Sequence, residues 1–502
     1  MRALLSVSDK RGLADLGAAL VGLGWDLVAS GSTAEALRAA GVPVLEIAEM
    51  TGAPEMLGGR VKTLHPAVHG GILADRSNPE HLADLEQRGI EPIDLVVANL
   101  YPFRTSPSVE TIDIGGVTLL RAAAKNWADV GVVVDPADYE ALLDELRSAG
   151  RLDDATRRRL ARAAFAHTAA YDAAIVGWLD STADEPEVLP PTLHLALERA
   201  AELRYGENPH QAGARYRRVG DDGLWDRVLQ HSGMPLSYLN VYDADAAWVL
   251  AHDLGDRPAV AIVKHAVPCG VGVGPDLATA YSLAYEGDEL SAFGGIVALN
   301  RPVDDATVER MVAAAQADVV IAPGYGEGVV DRLRARRRNT RVLEAEPPVR
   351  PPLVLRQVSD GFLVQETPRF DTGRDTWRVV TKAVPTDDQW ADAELAWRVC
   401  AHTRSNAVVL VKGGQAVGVG AGQQSRVAAA EIAATKAAGR AQGGASATDG
   451  FYPFPDGVEA AAAAGVAVLV QPGGSVKDDE VIAAADEHGL AMVLTGERQF
   501  LH

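Results

Sequence analysis

Only two cysteines, Cys269 and Cys400, occur in this 502-residue sequence. They are too few for a disulfide framework and suit a reducing compartment. Long hydrophobic runs are missing too. The longest apolar stretch, residues 460 to 470, falls well short of the roughly 20 residues a membrane span needs. The first ten residues hold too short an apolar run for a signal peptide. These absences predict a cytoplasmic protein with no membrane partner. Positive charge is scarce as well: 47 Lys plus Arg face 68 Asp plus Glu, a formal net charge of −21. Such a field argues against nucleic acid as a partner, so any anionic ligand must be met by a local island of donors.

What is present is material for full cores, since 47% of the residues are apolar. The length implies two or three domains. Residues 3–7 form a short apolar run, after which Leu13, Leu16, Leu20 and Leu23 recur at helical spacing. A second strand over 25–29 leads into a helix with Leu37, and residues 94–99 and 130–134 repeat the buried-strand pattern. Strands alternating with helices predict a parallel sheet covered on both faces, with ligands at the carboxyl ends of its strands. The loops after Val7, Ala29 and Asn99 are therefore suspect. Residues 180–191 are acidic and proline-rich and read as a linker, and residues 344–352 as a second connection. No short-period repeat of solenoid type is visible.

Several strings carry chemistry. Ser30-Gly31-Ser32-Thr33 lies between a strand and a helix, where backbone amides and hydroxyls can cradle phosphate. Taken alone, it reads more simply as a Ser or Thr N-cap. Gly58-Gly59-Arg60-Val61-Lys62-Thr63-Leu64-His65-Pro66 puts two cations and a hydroxyl into one loop. His65 and His69 could suggest zinc, but Pro66 opposes a helix through them and no third ligand is near, so both read as structural. Lys264-His265 ends an apolar strand over 260–263, a placement suited to general base work beside an oxyanion stabiliser. Pro268-Cys269 matches the start of the Pro-Cys-x-x-Cys of zinc deaminases, but Gly272 occupies the second cysteine position and no His-x-Glu precedes it.

The first part of the chain resembles the inosine monophosphate (IMP) cyclohydrolase domain of the bifunctional purine biosynthesis proteins, which has a methylglyoxal-synthase-like fold. The matching strings are Ser6-Val-Ser-Asp-Lys10, Val28-Ala-Ser-Gly-Ser-Thr33, residues 58–66, Asn99-Leu-Tyr-Pro102, Ile112-Asp-Ile-Gly-Gly116 and Arg121-Ala-Ala-Ala-Lys-Asn126. The resemblance implies ribotide contacts from Ser8, Asp9 and Lys10, and from Ser30, Gly31, Ser32 and Thr33. It adds Arg60, Val61 and Thr63, then Asn99, Leu100 and Ile114. It further implies proton transfer by Lys125, with Lys62, Tyr101 and Asp113 as polarising or orienting partners and no metal. Ring closure asks a feeble amide nucleophile to attack a formyl carbon, so positioning should supply much of the rate.

The remainder resembles the aminoimidazole carboxamide ribotide (AICAR) transformylase region of the same proteins, built from two cytidine-deaminase-like α/β units. Leu203-Arg-Tyr-Gly-Glu-Asn-Pro-His-Gln211, Lys264-His-Ala-Val-Pro-Cys-Gly270, Ser291-Ala-Phe-Gly-Gly295, Arg404-Ser-Asn406 and residues 418–426 carry it. The resemblance implies domains over 1–185, 196–370 and 371–502, with a linker over 186–195. It places His265 as the base for the attacking amine and Lys264 beside the oxyanion. Arg204, Tyr205, Gly294, Asp318, Asn406 and Arg426 would contact AICAR. Val427, Phe451, Asp456 and Arg498 would line the folate side. Asp449-Gly-Phe-Tyr452 departs from the family's frequent Asp-Ala-Phe-Phe. The co-substrate implied is 10-formyltetrahydrofolate, with no transition metal, room for a monovalent cation, small-molecule ribotides as substrates and a homodimer as the assembly. Two other readings compete: a zinc-dependent deaminase, testable by metal analysis, and a ribotide-binding regulatory module without chemistry, opposed by the presence of Lys62, Lys125, Lys264 and His265.

Overall fold

Short aliphatic strands alternating with helices dictate the start of the chain. In the computed structural model, which describes residues 1–502, β1 (Arg2–Val7), β2 (Asp26–Ala29), β3 (Leu45–Glu46), β4 (Leu95–Asn99) and β5 (Gly131–Val133) form one sheet in the order β3-β2-β1-β4-β5. All four pairings are parallel. Leu4, Leu5, Val28, Val96 and Val97 are buried in it, as a parallel sheet covered on both faces requires. Leu13, Leu16 and Leu20 face this core from one helix. Each such leucine, fully buried, contributes roughly 1.5–3 kcal/mol. Two further helices start at the carboxyl ends of the strands: α1 (Gly31–Ala39) and α2 (Gly115–Lys125). These elements belong to a unit comprising Met1–Glu198 and Arg218–Gly220.

The second unit, Arg199–Arg217 with Asp221–His502, is built on twelve strands. In chain order they are β6 (Leu229–Ser232), β7 (Ala259–Lys264), β8 (Val267–Val273), β9 (Ile296–Leu299), β10 (Val319–Ala322) and β11 (Arg341–Glu344). Then follow β12 (Arg378–Val379), β13 (Val408–Lys412), β14 (Gln415–Gly420), β15 (Ala445–Thr448), β16 (Val468–Gln471) and β17 (Ala491–Leu494). The spatial order is β12-β17-β16-β15-β13-β14-β8-β7-β9-β10-β11-β6. Read outward from the middle, both halves run through the same series of strands with the same parallel and antiparallel pairings. Each half also contributes one long helix to the core, α3 (Tyr238–Asp253) and α4 (Asp387–Ala401), with Trp248 and Trp397 fully buried.

The register fixes what each rim of this sheet carries. Val267 pairs with Lys264, Ile296 with Val263, and Val408 with Gly420 and Thr448. The end of β7 therefore shares a rim with the starts of β9, β10, β11 and β13 and the ends of β14, β15, β16 and β17.

Candidate functional site

A cavity of about 530 Å³ opens where β1, β2 and β4 end. Ser8, Lys10, Ser30, Ser32, Arg60 and Lys62 line it, together with Thr33, Thr63, Asn99, Tyr101, Asp113 and Ile114. Two of these are scaffold. The Asn99 side-chain oxygen accepts the Ser8 and Asp9 amides at 2.7 and 2.8 Å, and its nitrogen donates to the Asp9 carbonyl at 3.1 Å. Thr33 accepts the Val7 amide and donates to the Val7 carbonyl. Both side chains are buried, so their hydrogen bonding mainly shapes the loop after β1.

The ends of two helices meet the cavity. Neither Ser30 at α1 nor Ile114 at α2 supplies a side-chain cap. The Ser30 hydroxyl instead pairs with Ser6 at 3.0 Å, so the plain N-cap reading of this string does not hold. The start of α1, left this way, offers amide donors and partial positive charge to an anion, whereas at the start of α2 the Asp113 carboxylate already accepts the Gly116 amide. Gly31 adds no contact of its own. It makes room, since a Cβ there would lie 3.1 Å from Lys62 Nζ. Lys62 pairs with Glu55 at 3.1 Å and Arg60 with Glu110 at 2.6 Å. Exposed pairs of this kind contribute little, and an incoming anion can displace the carboxylates.

Asp113 accepts the Gly116 amide at 2.7 Å, and burial raises its pKa against the pull of that amide and of the Tyr101 amide. Thr63 is buried, yet its hydroxyl has no hydrogen-bond partner among the described residues. It lies against the start of α2, where a Cβ on Gly115 would fall 2.8 Å from it.

Four expected contacts fall outside the lining besides Lys125. The Asp9 carboxylate pairs with Arg11, which holds it below the ordinary carboxylate range. Leu100 is a core residue, Val61 bridges back to Met56, and Gly31 acts through its missing side chain. Lys125 does not line the cavity in its own chain. It is exposed and closes α2, ten residues beyond Gly115, which puts it roughly 15 Å along the helix axis from the cavity.

In the second unit most of the expected residues share the one rim. Lys264 and His265 stand at the turn after β7, Gly294 and Asp318 precede β9 and β10, and Asn406 precedes β13. Arg426 follows β14, Phe451 follows β15, and Arg498 follows β17. His265 is exposed, with φ of +56°, and its amide donates to Asp243 at 3.2 Å. Lys264 Nζ donates to the Phe293 carbonyl at 2.9 Å. The Arg204 guanidinium lies 5.3 Å over the Tyr205 ring, and both act electrostatically on Arg341, as does Asp318.

Arg426 pairs with the buried Asp449 at 2.7 Å and donates to the Phe451 carbonyl at 3.1 Å. Arg498 lies 4.4 Å over the Phe500 ring. Gly450 is the meeting point, because a Cβ there would lie 2.7 Å from Phe500 and 2.8 Å from Arg426. Val427 lies in the first turn of the helix Arg426–Ala437, and Asp456 starts the next helix and accepts the Gly457 amide. Asn406 donates to the Gln423 carbonyl at 2.9 Å.

Cys269 belongs to the core. Burial pushes its thiol up to about 12, and it donates to the Ile262 carbonyl, the opposite of what a zinc ligand needs. His65 caps the helix Pro66–Leu73 by accepting the Ala67 amide. Among the described residues no group of three or more His, Cys, Asp or Glu could hold a metal ion. Among the described residues no helix is long and apolar enough to cross a membrane. Residue reasoning missed Asp243, Arg341 and Phe500. The equal spacing of Asp243 to Trp248 and of Asp392 to Trp397 was the available sign of a duplicated frame.

A phosphate-ready cavity on one parallel sheet, and a histidine on a strained turn of a duplicated second sheet, define a two-site enzyme for small anionic metabolites. Residues 123–436 match the family described as AICARFT/IMPCHase bienzyme, and residues 12–133 match the MGS-like domain. Proteins called bifunctional purine biosynthesis protein PurH from Dinoroseobacter shibae and Roseobacter denitrificans are each 49% identical over 100% of this chain and 98% of their own length. The one from Myxococcus xanthus is 48% identical over 100% of both chains. The chain belongs to the AICARFT/IMPCHase bienzyme family. Its activities are the formyltransferase and IMP cyclohydrolase steps of purine biosynthesis.

Proposed function

We propose that the cavity of the first unit closes the purine ring and that the rim of the second unit transfers the formyl group. The observation that carries this division is that the two residue sets do not mix. Lys62, Tyr101 and Asp113 line the first cavity, whereas Lys264, His265, Asn406 and Arg426 stand on the rim.

In this reading the amine of AICAR attacks the formyl carbon of 10-formyltetrahydrofolate. His265 takes the amine proton and a free N–H of Lys264 steadies the tetrahedral oxyanion; as that intermediate collapses, the carbon–N10 bond breaks and N10 of the departing tetrahydrofolate takes the proton from His265. Arg204, Tyr205, Asp318 and Arg426 hold the ribotide, and Phe451 with Arg498 faces the folate. The formylated ribotide then occupies the first cavity, its phosphate at the start of α1. The carboxamide nitrogen attacks the formyl carbon and water is lost, with Asp113 and Tyr101 handling protons and Lys62 polarising the carbonyl. The two halves of the twelve-stranded sheet are the cytidine-deaminase-like units of this reading, and the cytoplasm is its compartment.

A homodimer is part of the proposal. Lys125 keeps a proton-transfer role only by reaching the cavity of a second copy, since its own chain leaves it at the far end of α2. Mixing Lys62→Ala with Lys125→Ala protein should then restore part of the ring closure that each lacks alone. Lys62→Ala should lose ring closure and keep formyl transfer, and His265→Ala should show the reverse when the formylated ribotide is supplied. One substitution removing both activities from a folded protein would refute the division.

A further inference from the structure

The two halves of the second unit share a frame down to single hydrogen bonds, and they differ in the side chains the frame carries. In the second half, Asp392 on α4 accepts the Gly413 and Gly414 amides at 3.0 and 2.9 Å, anchoring the turn between β13 and β14. In the first half, Asp243 on α3 accepts the His265 amide at 3.2 Å, anchoring the turn between β7 and β8, and the Ala266 amide also acts on it. Both carboxylates are buried. Lys412 donates to the Gly443 carbonyl as Lys264 donates to the Phe293 carbonyl. The Ala467 amide bonds the Gly444 carbonyl at 2.8 Å, as the Asp318 amide bonds the Gly295 carbonyl at 2.9 Å. The Ala491 and Arg341 amides repeat the match one strand further out.

Position by position, His265, Asp318 and Arg341 of the first half correspond to Gly413, Ala467 and Ala491 of the second. The frame is therefore structural, and the polar side chains hung on it are what the first half adds. The addition strains the backbone. Gly413 and Gly414 have φ of +59° and +79°, where glycine is at ease. His265 and Ala266 sit at +56° and +55°, where an L side chain crowds its own carbonyl. A residue held there persists only when its surroundings over-determine it, and such strain gathers at functional sites.

We infer that Asp243 is the positioning residue of formyl transfer: from α3 it pins the strained turn so that the His265 imidazole stays where the amine proton is released. This rests on the reading of His265 as proton acceptor. One Asp243 oxygen is buried without a hydrogen-bond partner among the described residues, so the carboxylate is committed to this turn and to no other neighbour.

The test uses the full-length protein and four variants: Asp243→Ala, Asp392→Ala, His265→Ala, and Asp243→Ala combined with Ala266→Gly. Each is assayed for formyl transfer, for ring closure of supplied formylated ribotide, and for thermal unfolding. Asp243→Ala should lower the kcat of formyl transfer on the order of ten- to a hundredfold, the effect of a misplaced reacting group. Ribotide KM and ring closure should stay unchanged. Asp392→Ala should lower the melting temperature similarly and leave kcat alone. Ala266→Gly, which relaxes the turn, should return part of the lost kcat. Should Asp243→Ala not fold, Asp243→Asn, which keeps one acceptor oxygen, should show the same selective loss to a smaller degree. Wild-type kcat in the Asp243 variants beside an inactive His265→Ala overturns the inference and leaves the His265 reading standing. Equal kcat losses in the Asp243 and Asp392 variants, or no recovery with Ala266→Gly, also overturn it. An active His265→Ala refutes the reading underneath.

Discussion

Thr63 shows how a single side chain can disclose a ligand. A buried hydroxyl without a partner costs about 1–3 kcal/mol, a cost that an oxygen of a bound ligand would remove. Thr63 lies at the start of α2, where an anion's oxygen would accept its proton. Thr63→Val deletes the hydroxyl at constant shape, so the unfolding free energy should stay within about 0.5 kcal/mol of wild type or rise. The KM for the formylated ribotide should rise about tenfold, the loss of roughly one hydrogen bond to a charged group. Steady-state kinetics with chemical denaturation checks both. Thr63 itself was legible in the motif over residues 58–66. Its unsatisfied state was not, because that depends on Gly115, some fifty residues away.

Elements pack here by leaving out side chains. Gly270 and Gly272 on β8 lie under Ala284 and Ala280, and Gly418 and Gly420 on β14 lie under Ala433 and Ala429. A Cβ on Gly420 would fall 1.9 Å from the Ala429 carbonyl oxygen, and one on Gly418 2.1 Å from that of Ala433. Gly420→Ala must push the helix off the sheet, and overpacking of this kind costs about 1–3 kcal/mol. Gly22→Ala, on a helix of the first unit with nothing within 4 Å, should be neutral or stabilising. Urea denaturation of both variants gives the comparison. The strands themselves were readable, as with Asp26–Ala29 against an expected 25–29 and Ala259–Lys264 against 260–263. Their pairing order was not, because register depends on partners far along the chain.

Across the whole molecule, acid is the condition to watch. Burial lowers the pKa of His69 and of His167 below the ordinary 6.5, and each has a buried ring nitrogen with no hydrogen-bond partner among the described residues. Just below pH 6.5 the unfolded chain therefore binds protons that the folded one refuses. Stability due to these groups is complete above that pH and falls as the pH drops toward their folded values. Thermal unfolding should show a lower melting temperature at about pH 5.5 than at about pH 7.5. His69→Gln with His167→Gln should shrink the difference. An unchanged difference would place acid sensitivity elsewhere.

Composition and strand periodicity settle by themselves the α/β class and the parallel first sheet, because those follow from local residue types and their spacing, while the ordered motifs carry the family resemblance that implies the pair of chemistries. Only the folded chain decides that Lys125 stands away from the cavity, that Asn99 and Thr33 are spent on backbone, and that Asp243 grips the turn of His265. Each of those facts is a meeting of residues distant in sequence, and such meetings depend on how buried surfaces pack.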